Sequence, residues 1–274
     1  MRGLFISPQK GGISMYNRGQ LVEDEFILHL NGKKIAELND NLRYMLEDLF
    51  GVLDRDEIVE CKKAEDWIKP DVLITYQGRT KGLSVKTGKA DIFHTEQLKY
   101  FIPYLKDIGI SEYSIETLLL FQFGDDTTNG TGKFRMNQGQ AFEKYKDRIE
   151  ALNEELNANE EVVMNLIDRF LFAGVNPEAD KADAIFIGDA YEGVCVTRKQ
   201  MMKYIKNVRY DFYNNPHVGP ILLIPAGRYI LRNSLHEEKR FKISAWWPKA
   251  ENTFYSIARR YSNYTPLHHR TYEE

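Results

Sequence analysis

The chain has 274 residues, a formal net charge of −3 and a pI near 6.1, a balance that excludes a protein coating nucleic acid through bulk positive charge. Its 43% hydrophobic and 28% charged residues, with 16 Tyr and 15 Phe, exclude a disordered chain and supply the apolar surface for a substantial core. No window approaches the roughly 18 consecutive apolar residues of a spanning helix, and Met1 to Tyr16 hold no apolar run of signal-peptide length, so the expectation is a cytoplasmic protein without a membrane partner. Cys61 and Cys195 have no Cys or His at zinc spacing and read as reduced core thiols.

In chain order, Ile35, Leu38, Leu42, Met45, Leu46 and Leu49 recur at intervals of three and four between Lys34 and Phe50, the stripe of a helix packed on a sheet. Gly51 supplies its stop. Glu57 to Lys63, Asp71 to Tyr76 and Lys81 to Lys86, with a turn at Gly78, are short bounded runs that predict a β-meander. Thr95 is placed to cap a helix through Glu96, Gln97, Leu98, Phe101, Ile102 and Leu105 to Gly109, with Pro103 bending it or opening a new turn. Thr117 to Gln122 predicts an apolar strand buried on both faces. Gly124 to Gly139, polar and rich in glycine, reads as a long mobile loop. Helical patterns follow at Phe142 to Leu156, with Phe142, Tyr145, Ile149, Leu152 and Leu156 on one face, and at Val162 to Phe172. The remainder predicts strands at Ala184 to Ile187, Gly193 to Val196, Pro220 to Ile224, Arg228 to Leu231 and Phe241 to Trp247, around a helix from Arg198 to Lys206 capped by Thr197. With no repeat and no dividing linker, residues 1–274 read as one elaborated α/β domain.

The chemistry concentrates in Lys69-Pro70-Asp71-Val72 and the strand that ends Ser84-Val85-Lys86. Alternation puts Asp71, Leu73 and Thr75 on one face of their strand and Ser84 with Lys86 on one face of the next. An acid and a lysine then converge across a strand pair. Phosphodiester hydrolysis uses that combination, a carboxylate to hold Mg²⁺ and an ammonium to orient water and offset charge growing on phosphate.

This stretch resembles the PD-(D/E)xK nuclease superfamily, with Pro70-Asp71 as the "PD" and Ser84-Val85-Lys86 as the "(D/E)xK". The resemblance implies a restriction-endonuclease-like core over residues 32–123, ordered helix, three-stranded meander, helix, strand, and an α/β extension over 124–274 for substrate recognition or oligomerisation. It also implies that Asp71 binds metal, that the Val85 carbonyl adds a backbone ligand, and that Lys86 acts on the attacking water. Ser84 departs from the pattern, since a hydroxyl replaces a carboxylate poorly around a hard cation. A subset of restriction endonucleases with Ser-Val-Lys takes the missing acid from the following helix, which implies Glu96 as a second metal ligand; Asp91 is the alternative. Gln97 followed by Phe101 resembles the Gln-x-x-x-Tyr helix of RecB-like and phage-type exonucleases and supports the site.

Glu37, Asn39, Asp40 and Glu47 are available on the first helix, but phase does not choose among them, and a solvated face is the default role for each. His94 reads as structural, His268-His269 as a surface tail, and Arg198-Lys199 and Arg259-Arg260-Tyr261 as solvated charge or phosphate contacts. Lys133 and Arg135 in the glycine-rich loop are candidate nucleic-acid contacts. The expectation is a Mg²⁺- or Mn²⁺-dependent endonuclease acting on DNA, restriction-like, with a homodimer suited to cutting two strands. The alternatives are a repair, phage or defence nuclease on ends, branched DNA or RNA, and a degenerate core kept as a nucleic-acid-binding module.

Overall fold

The meander expected between residues 57 and 86 forms the middle of the fold. A computed structural model describes residues 18–65, 68–87, 91–176, 179, 181–208, 215–228, 230 and 235–262. The first half runs α1 (Arg18–Leu30), β1 (Lys33–Lys34), α2 (Asp40–Phe50), β2 (Ile58–Lys63), β3 (Val72–Tyr76), β4 (Arg79–Lys86), β5 (Ile92–Gln97), α3 (Leu98–Asp107) and α4 (Glu112–Phe123). It continues with α5 (Gln138–Ala158), α6 (Glu160–Asp168), a π-helical turn at Arg169–Ala173, β6 (Ala184–Gly188), β7 (Gly193–Thr197), α7 (Arg198–Ile205), β8 (His217–Val218), β9 (Ile221–Pro225), β10 (Lys242–Trp246) and α8 (Ala250–Tyr261). Among the described residues no helix is long and apolar enough to cross a membrane.

The strands form two sheets, one ordered β1-β2-β3-β4-β6-β7 and one ordered β5-β10-β9-β8. In the larger sheet β2, β3 and β4 pair antiparallel, and β4 then pairs parallel with β6. Gln77 and Gly78, both at positive φ (47° and 71°), close the β3–β4 hairpin, the two-residue turn whose twist suits flanking strands. Alternation divides the sheet between two cores. Val72, Ile74, Leu83, Val85, Ala184 and Phe186 pack with α1 and α2, whereas Ile185, Ile187, Val194 and Val196 pack with the helices and strands of the second sheet. Both cysteines are buried and unbridged, and burial pushes the Cys61 thiol up to about 12.

Several expected elements differ. Thr117 to Gln122 lies within helix α4, which Ser111 caps and Gly124 ends in the left-handed region at φ 60°. A short apolar run has no period of its own, and here the caps at both ends select helix. Thr117 satisfies its buried hydroxyl by donating to the Tyr113 carbonyl, 2.8 Å away. The strand that follows the meander in the sheet is instead β6, so residues 124–274 contribute two strands, β6 and β7, to the same sheet as β2–β4. Residues 95–97 are strand rather than helix: β5 pairs with β10 from Trp246↔Ile92 to Lys242↔Gln97, and Thr95 meets Ser244 hydroxyl to hydroxyl at 2.8 Å. Helix α3 starts at Leu98 and carries Pro103 inside it. The 34–50 helix is divided, because Asn39 caps α2 by accepting from Leu42 N–H. Arg228 and Ile230 are not in a strand, and Tyr229 and Leu231 lie outside the described residues, as do His268 and His269.

Gly82 shows how tightly β4 is set. A Cβ there would stand 2.9 Å from Pro70 Cβ and 3.0 Å from the Lys181 carbonyl oxygen, so the neighbouring chain would have to shift to admit it. Gly82→Ala should therefore lower stability by about 1–3 kcal/mol, the usual cost of overpacking, read as a lower urea midpoint at unchanged slope.

Candidate active site

Asp71 immediately precedes β3, and its N–H donates to the Leu83 carbonyl at 2.9 Å, which brings its side chain over β4. Its Oδ2 accepts from Ser84 Oγ at 3.0 Å and from Val85 N–H at 2.6 Å. Lys86 Nζ lies 3.6 Å from the same oxygen. Strand alternation puts Ser84 and Lys86 on the face opposite Leu83 and Val85, away from α1 and α2. Ser84 is buried, while the side chains of Asp71 and Lys86 keep 25% and 22% exposure, so solvent or a ligand reaches them. Among the described residues Asp71 Oδ1 accepts no hydrogen bond.

Lys69 completes the local charge and carried no signal in the sequence beyond standing before Pro-Asp. Its ammonium donates to the Phe170 carbonyl at 2.8 Å and the Phe93 carbonyl at 3.2 Å. The strand bearing Asp71 is thus tied to β5 and to the π-helical turn. Burial, with the charge of Lys86 adding to it, draws the Lys69 ammonium down to about 7 against the opposing pull of Asp71 and Glu96.

Glu96 occupies a different setting from the one expected. On β5, its side chain is wholly buried and faces Arg169 of the π-helical turn, whose Nε and second guanidinium nitrogen donate to its two oxygens at 3.0 Å and 2.7 Å. The guanidinium also lies 4.1 Å from the centre of the Tyr104 ring. Burial by itself would raise the Glu96 carboxyl, but nearby His94 and the two-pronged Arg169 contact outweigh it and hold it below the usual range. His94 Nε2 stands 3.5 Å from Glu96, too far for a strong bond, and burial pushes the imidazole down. Arg169 had no sequence signal, because its partner lies 73 positions away. Gln97 is half-buried at the end of β5 and makes no capping bond to α3.

The remaining candidates lie elsewhere. Glu37 accepts from Lys34 N–H, Asp40 pairs with Arg43, and Asn39 donates to the Ala190 carbonyl at 3.0 Å. Glu47 sits on α2, which packs on the face opposite Ser84 and Lys86, and desolvation raises its carboxyl. Asp91 gives its carbonyl to Trp247 N–H. Arg198 binds Asp168 at 2.5 Å, Arg260 covers the Tyr261 ring, and Lys199 is exposed. Lys133 is exposed, whereas Arg135 donates to the Arg228 and Ile230 carbonyls and braces the loop it stands in. Among the described residues no three acidic, His or Cys side chains converge.

Removing one partner of a buried pair leaves the other charge uncompensated. Glu96→Gln should therefore destabilise the fold by about 3 kcal/mol or more, measured by chemical denaturation. A loss under about 0.5 kcal/mol would mean that the Arg169 contact contributes little.

No family model matches the chain, and no curated protein matches it. Among solved structures, the chain is similar to a crystal structure of restriction endonuclease MspI in complex with its cognate DNA, at 13% identity and a TM-score of 0.46, over 83% of this chain and 88% of that one.

Proposed function

We propose that the protein is a metal-dependent nuclease whose hydrolytic centre is built on Asp71 and Lys86. The observation that carries this reading is the convergence of the Asp71 carboxylate and the Lys86 ammonium, 3.6 Å apart and both reachable from solvent, above a strand pair. Asp71 is oriented by the Ser84 hydroxyl and the Val85 N–H, which leaves its other oxygen for a ligand. One carboxylate, a backbone carbonyl at Val85 and the substrate phosphate suit Mg²⁺ or Mn²⁺, because a small hard cation keeps several waters and often takes only one or two protein carboxylates. When bound, that ion lowers the pKa of its water and offsets charge on the phosphate.

The chain's own residues have separable parts in this reading. Asp71 holds the cation. Lys86 stabilises charge developing on the phosphate and orients water, in a setting where partial burial limits screening. Ser84, standing where a second acid would serve, is a positioning residue that fixes Asp71. Glu96 has both oxygens bonded to Arg169 and serves to hold that guanidinium and the π-helical turn. Lys86 and Arg169 offset Asp71 and Glu96, and Lys69, drawn down to about 7, carries only part of a positive charge, so an anionic backbone meets no net negative field from these groups. DNA is the proposed substrate and RNA the alternative.

One observation favours a second reading, a nucleic-acid-binding module that has lost hydrolysis: the described residues offer no cluster of acids around Asp71. The test is incubation of the protein with plasmid, single-stranded DNA and RNA, with Mg²⁺ or Mn²⁺ against EDTA. The nuclease reading expects cleavage that EDTA stops and Mg²⁺ restores; binding without cutting under every metal would establish the module instead.

Substitution separates chemistry from folding. Asp71→Asn keeps an acceptor for Ser84 and Val85 while removing the charge, and should reduce cleavage to background with thermal unfolding nearly unchanged. Lys86→Met should lower cleavage by about 100-fold or more and change stability by less than about 1 kcal/mol, since the ion pair is long and partly exposed. Robust cutting by either variant would remove that residue from the mechanism.

A further inference from the structure

We propose that the outer face of α7 and the adjoining end of α8 form a strip that holds nucleic-acid phosphates outside the hydrolytic centre, an inference that rests on the nucleic-acid reading above. Lys199, Lys203 and Lys206, the last at the C-cap of α7, follow one another at intervals of four and three, which sets them on one helix face. All three are exposed. From Arg198 to Ile205 the helix holds no acid, so nothing on it interrupts the positive row. The row rises by about 10 Å from first to last, the length of about three steps of a duplex strand.

Helix α8 packs beside α7 and extends the row with Arg260. The half-buried Tyr261 ring joins the two helices: Lys203 Nζ lies 4.8 Å from its centre and the Arg260 guanidinium 5.3 Å. These cation–π contacts restrain two long side chains, so less rotamer freedom is lost when they meet a ligand. Among the described residues, acids occupy other cations instead: Asp168 binds Arg198 and Glu160 binds Lys206, each at 2.5 Å. Asp48, at the junction of α7 and α8, is half-buried and accepts from Ser262 and Gln200. Arg259 shares the field around Tyr255 with Glu251, Glu192 and Asp189 and adds less. Lys199, Lys203 and Arg260 are left without an ion-pair partner among the described residues.

Position and charge identify the occupant. Met201 and Ile205 of α7 and Phe254 and Ile257 of α8 belong to the core on the Ser84 and Lys86 side of the large sheet, so strip and candidate site lie on the same side of it. A chain of net charge −3 does not attract a polyanion as a whole, and the charges around Asp71 largely cancel, so attraction has to come from a local concentration of unpaired cations. A lipid surface would meet the same lysines, but α7 and α8 expose no large apolar side chain to enter it. Contacts of this kind read phosphate and not base edges, so they fix position without selecting sequence.

The test is fluorescence anisotropy of labelled DNA and RNA duplexes with the full chain in EDTA, from about 50 to about 200 mM NaCl. Combining Lys199→Gln, Lys203→Gln and Arg260→Gln should weaken binding by about 10-fold or more and flatten the slope of log affinity against log salt by about 2–3. All three positions are exposed, so the urea midpoint should not move. Combining Lys33→Gln, Lys99→Gln and Lys146→Gln removes the same charge from exposed positions on β1, α3 and α5 and should change binding by less than about 2-fold. A strip variant that binds like the parent, or a control that loses as much, would overturn the strip, and cleavage by the parent would then leave the nuclease reading standing. Binding by the parent that the strip variant loses, with no cutting under any metal, supports the strip and removes the nuclease. A parent that binds neither duplex, whether or not it binds vesicles of phosphatidylserine and phosphatidylcholine, overturns both.

Discussion

The parallel pairing of β4 with β6 is the constraint on which the rest of the molecule depends. Parallel neighbours need a long crossover, and here everything from β5 to the π-helical turn lies within it. The pair is clamped at its start, where Asp183 binds the Lys81 ammonium at 2.7 Å and accepts from Gly82 N–H at 2.9 Å. From there Leu83↔Ala184 to Lys86↔Ile187 run in register between two cores. Because Leu83, Val85, Ala184 and Phe186 are committed to one core, Ser84 and Lys86 must face the other side. The candidate site is thus a consequence of how the sheet divides its burial.

The crossover returns to the site through buried polar contacts rather than apolar packing alone. Lys69 reaches the Phe93 and Phe170 carbonyls, and Glu96 grips Arg169 one residue before Phe170. A π-helical turn displaces backbone carbonyls from the regular α ladder, and here one such carbonyl becomes the acceptor of a lysine two positions from Asp71. The Glu96–Arg169 pair is strong evidence of geometry and weak evidence of net stability, because desolvating both charges offsets much of their attraction. Its role is to fix where the turn sits, and through Lys69 where Asp71 sits.

Local patterns made the meander, the α2 stripe, the Thr197 cap and the face of α5 legible, since each is a repeat or a cap within a few residues. The approach of Asp71 to Lys86 was legible for the same reason: hairpin neighbours with period-two alternation leave little freedom. Thr95-Glu96-Gln97 was not, because a threonine followed by acid and amide suits a helix start as well as a strand. What settled it was β10, some 150 positions further on, which offered a complete edge to pair with. The run from Thr117 to Gln122 likewise carries no period, and only its caps and its packing against α5 distinguish helix from strand.

The sequence by itself determined the α/β class, the antiparallel hairpin and the side of β4 on which an acid and a lysine meet, because those follow from backbone alternation over short distances. Only the tertiary structure decided which strand lies parallel beside β4, that Glu96 belongs to a strand and pairs with Arg169, and that Lys69 joins the Asp71 neighbourhood. Each of those depends on contacts between residues far apart in the chain. No local propensity encodes them, since each joins segments that only the folded sheet and its two cores bring together.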